Sequence, residues 1–302
     1  MADWTEADIP DQTGRNVLIT GANTGIGFEA ARALAQHGAR VLLGCRNPEK
    51  AADAVERLAA AAPGAMVEVV PIDVSSLSSV REAAAVVRAD TDQIHLLINN
   101  AGIMMTPRWQ SDDGHEMQFA TNHLGHFALT GQLIDLVMAA DGGRVVSVSS
   151  NAHKFGKMNF EDLDAEKKYR RTGQYGMTKL ANLLFIRELQ RRLAAADTDA
   201  IALACHPGGS ATELSRNLPT LLQKLEPVTA VFTQSAAMGA LPTLRAATDP
   251  AATGGQYYGP GGFGEMKGHP VVRQPTKAAC RDADATRLWE ISEELTGVSW
   301  PI

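Results

Sequence analysis

The chain has 302 residues, of which 45% are hydrophobic and 21% charged, and a formal net charge of -6. This composition excludes a disordered chain, a collagen-like fibre and a coiled coil, and the acidic balance argues against nucleic acid as a partner. Three cysteines are too few and too scattered for a disulfide framework. No apolar run approaches the ~20 residues of a membrane span, and the acidic start lacks a hydrophobic leader, so we expect a cytoplasmic protein without a membrane span.

From residue 15 to about residue 260, short apolar runs alternate with longer alanine-rich amphipathic stretches. The predicted strands lie at 15–20, 39–44, 67–72, 94–99, 144–149, 200–205 and 256–258. The predicted helices lie at 26–37, 48–62, 78–89, 117–138, 174–195 and 235–247. Apolar strands that alternate with helices predict a mainly parallel sheet with helices on both faces. We therefore predict a single doubly wound (Rossmann-type) α/β domain over 1–302, with a loop-rich C-terminal extension from about 261 that ends in a helix at 283–295.

The first predicted strand leads directly into a glycine-rich turn, Thr20 to Gly27, and then into a helix. Glycines let the backbone approach a phosphate closely, and a helix N-terminus offers free N–H groups with a partial positive charge. In a doubly wound sheet, dinucleotides bind at this turn. The predicted cofactor contacts in the turn are Gly21, Asn23, Thr24, Gly25, Ile26 and Gly27. The alternative is a tight turn that binds no ligand.

A second glycine pattern, G-x-G-x-x-G, occurs at 259–264. It lies far from the start of the chain, and no regular helix is predicted to begin from it. Because this pattern indicates a dinucleotide site only between a strand and a helix, we interpret it as a glycine-rich loop.

The end of the second predicted strand bears on the choice between NAD and NADP. An NAD site usually has an acidic residue here for the ribose 2′-hydroxyl, but the chain has none between Gly38 and Pro48. It has Arg46 instead, whose guanidinium suits a 2′-phosphate through charge-assisted hydrogen bonds. The sequence therefore favours NADP over NAD, unless Arg46 is only a solvated surface arginine.

Three candidate reacting groups follow in order along the chain. The fifth predicted strand ends at Ser149 and Ser150, and Tyr175 and Lys179 share one face of a predicted helix, one turn apart. A nearby ammonium lowers the pKa of a phenol, which suits proton transfer, and a serine hydroxyl can hydrogen-bond a carbonyl oxygen that gains charge. Beside a nicotinamide this set predicts carbonyl reduction or alcohol oxidation, although a Tyr–Lys pair by itself is more often a random surface pair.

In this order, the motifs resemble the short-chain dehydrogenase/reductase family over residues 13 to about 260, and within it the retinol dehydrogenase-like branch. The motifs that carry the resemblance are Thr20–Gly27, Asp73-Val74, Asn99–Gly102, Asn122–Phe127, Ser150, Tyr175–Lys179 and His206–Gly208. The resemblance implies that Tyr175 is the general acid/base and that Lys179 lowers its pKa and holds the nicotinamide ribose. It also implies that Asn122 kinks its helix and holds a water of a proton relay.

The resemblance implies the remaining site residues as well. Ser150, rather than Ser149, would be the catalytic serine. Asp73 and Val74 would contact the adenine. The other implied cofactor contacts are Asn100, Ala101 and Gly102 along the adenosine ribose, and Pro207, Gly208 and Thr212 at the nicotinamide. No metal is expected, because His123 and His126 have no third ligand at a matching spacing.

These residues predict an NADP-dependent oxidoreductase that acts on an apolar aldehyde, ketone or alcohol. The alternatives are a non-catalytic NADP-binding regulator, and an epimerase or dehydratase, which the glycine spacing fits poorly. Family resemblance implies a homodimer or homotetramer through the helices around Asn122 and Tyr175, which the extension from 261 could block.

Three segments near the predicted site have open interpretations. The long spacing between Ser150 and Tyr175 predicts that residues 154–171 lie at the rim of the pocket. Met104 and Met105 are either core residues or the lining of an apolar pocket. Residues 213–232 are either an amphipathic lid over the site or a buried helix.

Overall fold

The computed structural model describes residues 3–209 and 234–302. Within these ranges, eight strands form one sheet in the order β3-β2-β1-β4-β5-β6-β7-β8. The strands are β1 (Asn16–Thr20), β2 (Arg40–Cys45), β3 (Val67–Pro71), β4 (Leu96–Asn99), β5 (Arg144–Val148), β6 (Ile201–Cys205), β7 (Tyr257–Pro260) and β8 (Pro270–Arg273). Neighbouring strands from β3 to β7 are parallel, and β8 is antiparallel to β7. The predicted fold class is confirmed.

Helices cover both faces of the sheet. In chain order they are α1 (Gly25–Gln36), α2 (Pro48–Ala61), α3 (Leu77–Asp90), α4 (Met117–Phe119), α5 (Gly125–Met138), α6 (Arg171–Ala195), α7 (Ala236–Thr248) and α8 (Asp282–Thr296). One apolar layer joins the sheet to α1, α2 and α7, and the other joins it to α3, α5, α6 and α8. The central strands are buried on both sides, which explains their nearly continuous apolar sequences.

Local signals fix the ends of several helices. The Asn47 side chain accepts a hydrogen bond from the N–H of Lys50 at 2.8 Å, and Pro48 occupies the first position of α2. Helix α1 ends just before Gly38, whose φ of +97° is accessible to glycine and strained for other residues. These ends bring β1 and β2 side by side, with Thr20 opposite Gly44.

The predicted helix 117–138 contains a π-helical turn, Ala120–Leu124, between α4 and α5. A π turn inserts an extra residue into the helical ladder, and such turns often occur at functional sites. It contains Asn122, the residue expected to kink this helix.

The C-terminal extension has more regular structure than expected. Strand β8 was not predicted, because it has only four residues, begins with a proline and follows a glycine-rich loop. Helix α8 confirms the predicted terminal helix. Its Trp289 packs edge-on against Phe127 of α5 and stacks with Phe185 of α6, at centroid distances of 5.0 and 6.0 Å. The extension therefore covers the outer face of α5 and α6.

Candidate active site

The predicted site residues that lie within the described ranges converge at the carboxyl edge of the parallel strands. The chain leaves β1 towards β2 and β3 on one side of the sheet and resumes at β4 on the other side. In open α/β sheets, ligands bind in the crevice at such a switch point. The turn after β1 and the segment after β4 form the two walls of this crevice.

The turn after β1 is closely packed around its glycines. Gly21 and Gly25 have φ angles of +66° and +59°. A Cβ on Gly27 would lie 2.5 Å from both the Gly21 carbonyl oxygen and the Asn100 amide nitrogen. The Thr24 side chain makes no capping hydrogen bond to α1, so the first-turn N–H groups of this helix are not capped by it. The close backbone approach and the uncapped helix N-terminus fit a pyrophosphate in size and charge.

The segment after β4 is hydrogen-bonded to this turn. The Asn100 side chain donates to the Thr20 carbonyl at 2.8 Å, and the N–H groups of Asn100 and Ala101 both donate to the Thr20 hydroxyl at 3.0 Å. The backbone of Gly102 passes close to the reacting groups, since a Cβ there would lie 3.5 Å from Lys179 Nζ. These contacts connect the glycine turn, where the cofactor is predicted to bind, to the predicted catalytic residues.

At the other end of the crevice, Arg46 and Asp73 follow β2 and β3. Arg46 Nη1 lies 3.3 Å from Asp73 Oδ2, with the arginine side chain 74% exposed. Burial would raise the pKa of Asp73, but hydrogen bonds from Ser75 and the charge of Arg46 hold it below its ordinary value. Val74 is buried beside them. Arg46 thus lies at the end of β2, as expected, and is accessible to a ligand.

Arg57, which lies beside the glycine turn, was not singled out from the sequence. Arg57 of α2 donates to the Asn23 carbonyl at 2.8 Å, and its guanidinium lies 4.1 Å from the centroid of the Phe28 ring. No local motif marks it, because the contact depends on how α2 packs beside the glycine turn.

The two serines after β5 have different partners. Ser149 is buried, and its hydroxyl donates to the Lys179 carbonyl at 2.7 Å. The Ser150 hydroxyl accepts from the Ala152 N–H at 3.2 Å and hydrogen-bonds Tyr175, an interaction that lowers the tyrosine pKa. The geometry thus brings Ser150, and not Ser149, to the tyrosine.

Tyr175 and Lys179 lie one turn apart on α6, and both are buried. Burial raises the pKa of Tyr175 to about 12, outweighing the hydrogen bond from Ser150. Burial also lowers the pKa of Lys179 to about 8, and its ammonium donates to the Val148 carbonyl at 2.9 Å. Burial thus dominates the pKa of Tyr175 in this structure, which is raised where the resemblance implies a lowering by Lys179. Lys179 Nζ lies 5.8 Å from the ring centroid.

Asn122 is fully buried in the π turn. Its side-chain oxygen accepts from the Ile103 N–H at 2.8 Å, and its amide donates to the Ile103 carbonyl and to the Thr178 hydroxyl, both at 3.0 Å. Asn122 therefore links the segment after β4 to α6 beside Lys179. The contact between Asn122 and Thr178 was not predicted from the sequence.

The segment after β6 begins with His206, Pro207 and Gly208, and faces the same edge of the sheet. Gly208 has φ +67°, and a Cβ there would lie 2.5 Å from the Met266 carbonyl oxygen. Thr212 and the proposed lid at 213–232 lie outside the described residues.

The long segment before Tyr175 packs against the region before α4. Tyr169 donates to the Thr106 carbonyl at 2.8 Å, Asp164 accepts from the Glu116 N–H at 2.8 Å, and Gln174 donates to the buried Glu116 carboxylate at 3.0 Å. Met104 and Met105, just before this region, are half-buried and belong to neither large core cluster.

The two histidines of α4–α5 have protein partners. His123 Nε2 lies 2.8 Å from the Ser292 hydroxyl, and His126 Nε2 lies 2.9 Å from the Thr20 hydroxyl. Burial lowers the pKa values of both, to about 3 and about 4. In residues 3–209 and 234–302, no group of three or more His, Cys, Asp or Glu side chains is placed to hold a metal ion.

The sequence of this chain is similar to those of known dehydrogenases. The family model described as short chain dehydrogenase matches residues 15–221. Retinol dehydrogenase 12 of Mus musculus is 41% identical, over 98% of this chain and 90% of its own length. Retinol dehydrogenase 13 of Homo sapiens is 36% identical, over 98% of this chain and 88% of its own.

A solved structure matches along the whole length. An uncharacterised protein of Mycobacterium paratuberculosis has a TM-score of 0.84 and 39% identity, with 100% of both chains covered. The RhlG/NADP active-site complex of Pseudomonas aeruginosa has a TM-score of 0.65 and 25% identity, covering 81% of this chain and 94% of that one.

Proposed function

The chain belongs to the short-chain dehydrogenase/reductase family and is an oxidoreductase, and we propose that it is an NADP-dependent one that acts on an apolar aldehyde, ketone or alcohol. The observation that carries the proposal is the convergence of Ser150, Tyr175 and Lys179 beside the glycine turn. No helix of the described residues is both long and apolar enough to cross a membrane.

The proposed cofactor site runs along the crevice. Gly21, Asn23, Thr24, Gly25, Ile26 and Gly27 would hold the pyrophosphate, and Asp73, Val74, Asn100, Ala101 and Gly102 would line the adenosine half. Tyr175, Lys179, Pro207, Gly208 and Thr212 would line the nicotinamide half. When bound, the nicotinamide supplies the hydride chemistry.

In the proposed mechanism, Tyr175 donates its phenolic proton to the substrate oxygen during reduction and takes it back during oxidation. With a pKa of about 12 the phenol is protonated at neutral pH, which is the state that donates a proton in the reductive direction. Ser150 hydrogen-bonds the same oxygen, and burial strengthens that interaction. Lys179 would hold the ribose, and Asn122 would hold a water that links Lys179 to solvent in a proton relay.

The apolar substrate class rests on two supports. Relatives of this chain are named retinol dehydrogenases, and retinol is a largely apolar alcohol. Met104 and Met105 are half-buried beyond Gly102, where flexible thioether side chains suit an irregular apolar ligand.

We also propose a reducing, cytoplasmic location, in which all three thiols stay reduced. Cys45 and Cys205 are buried, Cys280 is exposed, and none forms a disulfide.

The preference for NADP depends on Arg46. Removing its guanidinium in Arg46→Ala should weaken NADPH binding about 10–100-fold and change NADH binding little, since only NADPH has the 2′-phosphate. Calorimetric titration of both cofactors measures the ratio. Arg88→Ala is the matched control, because Arg88 forms an exposed ion pair with Asp135 on α3 and α5. Equal affinities of the unaltered chain for NADPH and NADH would refute the preference.

A further inference from the structure

The loop between β7 and β8, residues 261–269, folds back onto the proposed active site. The Met266 carbonyl accepts from the Gly209 N–H at 2.9 Å, and the Glu265 carbonyl accepts from the Asn151 side chain at 3.2 Å. The loop therefore touches both the segment after β6 and the turn that follows Ser150. Residues 261–264 of this loop are part of the G-x-G-x-x-G pattern at 259–264, which the sequence left without a role, and residues 259–260 of the pattern belong to β7.

The Glu265 side chain joins the same two segments. Its Oε2 lies 3.0 Å from Lys154 Nζ and 3.1 Å from His206 Nε2. Lys154 belongs to the short 3-10 helix that begins directly after Ser150, whereas His206 leads directly into Pro207. The carboxylate is 19% exposed and the His206 side chain is fully buried.

The hydrogen bonds of His206 determine where its proton lies. The ring Nδ1 accepts from the Gly208 N–H at 3.2 Å, so it carries no proton. Burial lowers the pKa of His206 to about 4, which keeps the ring neutral at neutral pH. The single ring proton is therefore on Nε2, next to Glu265. The Nε2–Oε2 contact of 3.1 Å is an ion-pair distance without hydrogen-bond geometry, so the carboxylate attracts the Nε2–H electrostatically. This attraction favours the tautomer in which Nδ1 accepts from the Gly208 N–H.

The backbone of Glu265 supports a specific role for this residue. Glu265 has φ +57°, in the left-handed region that non-glycine residues rarely adopt, and Gly264 before it has φ +61°. Such conformations persist where surrounding contacts hold them, and they cluster at functional sites. Here they turn the carboxylate inward to His206 while the exposed Phe263 points to solvent.

We propose that Glu265 is a positioning residue, which holds His206 and the 206–209 segment in place against the nicotinamide half of the cofactor and ties that segment to the turn after Ser150. The proposal rests on the proposed function, because it assumes that this segment lines the nicotinamide. Glu265 acts through His206 and does not itself touch the reacting atoms.

The test compares binding of NADP+ with binding of 2′-phospho-ADP-ribose, which lacks the nicotinamide, by calorimetry on the full chain. Glu265→Ala should weaken NADP+ binding about tenfold or more and leave the fragment unchanged, because only the nicotinamide reaches this segment. Glu265→Gln keeps an acceptor for His206 and should recover most of the affinity. Glu68→Ala, which removes an exposed partner of Arg40 at the β3 edge, should change neither ligand.

The other outcomes overturn the proposal. Unchanged NADP+ binding in Glu265→Ala shows that the segment does not depend on the carboxylate. Equal losses for NADP+ and for the fragment show a general structural effect, which thermal unfolding of the variants would also reveal. If the unaltered chain binds neither ligand, the proposed function fails together with this inference. If the unaltered chain binds both ligands and Glu265→Ala changes neither affinity, the proposed function stands and this inference fails.

Discussion

Lys179 is a buried cation whose charge destabilises the fold. Its pKa is lowered to about 8 from an ordinary value of 10.5. The unfolded chain therefore binds more protons between these two values, so the free energy of unfolding rises with pH across this window. A buried ammonium kept at that cost is typical of a functional position.

Lys179→Met should therefore stabilise the protein while removing its activity. Near pH 7 we expect a gain of about 1–3 kcal/mol, because the buried charge is gone and the Val148 carbonyl still accepts from Asn182 at 3.1 Å. The gain should shrink towards about pH 9.5, where the lysine of the folded state is largely neutral. Urea unfolding at the two pH values measures it. A stability loss at both values would show that the Val148 contact outweighs the cost of the charge.

At the residue scale, the sequence predicted which side chains meet but not their electrostatics. The order of a strand-end serine, Tyr175 and Lys179 predicted that these side chains meet, and the family resemblance implied Ser150 rather than Ser149. The raised pKa of Tyr175 could not be foreseen, because burial depends on every element packed around the ring. Glu265 and His206 are far apart in sequence, so no local pattern joins them.

The glycine turn is the element on which cofactor binding depends. Gly27→Ala would place a Cβ 2.5 Å from the Gly21 carbonyl oxygen and from the Asn100 amide. We expect a loss of about 1–3 kcal/mol in stability and a marked loss of NADPH affinity, since the turn must open. Denaturant unfolding and cofactor titration measure both effects.

Gly173→Ala is the matched control for this change. Gly173 lies in the first turn of α6, and a Cβ there would meet its nearest neighbour at 3.6 Å, an ordinary contact. Alanine also favours helix by up to about 1 kcal/mol over glycine. If Gly27→Ala and Gly173→Ala changed stability and NADPH affinity equally, close packing at Gly27 would not explain why the turn has glycine there.

At the element scale, strands and helices with strong periodicity were predicted to within a few residues. The elements that were missed lack such a signal. Strand β8 is short, and its strand conformation depends on antiparallel pairing with the edge of β7. The π turn depends on Asn122, which bonds to Ile103 and Thr178 rather than to its own helix.

At the scale of the whole molecule, the C-terminal extension completes the second apolar layer. Trp300 joins Trp289 at a centroid distance of 4.3 Å, and both pack against Phe127 and Phe185. The sequence indicated that this extension could block pairing through the helices around Asn122 and Tyr175. The packing of α8 on α5 and α6 supports that hypothesis.

We therefore expect the protein to be a monomer at micromolar concentration, or to self-associate through a surface other than α5 and α6. Light scattering after gel filtration, over a range of concentrations, measures the mass. A stable dimer that is lost on placing a charge on α5 or α6, but not on α2, would contradict the expectation.

The central claim is that Tyr175 and a nicotinamide together reduce an apolar carbonyl. The most direct measurement is the loss of reduced-nicotinamide absorbance with NADPH over a panel of apolar aldehydes and ketones. Turnover should fall about 100–10,000-fold in Tyr175→Phe, which keeps the ring but not the acid, while the affinity for NADPH should fall far less. The matched control is Tyr258→Phe, which should turn over normally, because the Tyr258 hydroxyl bonds only Gln256 among the described contacts. Turnover that survives in Tyr175→Phe, or none in the unaltered chain despite tight NADPH binding, would contradict the claim.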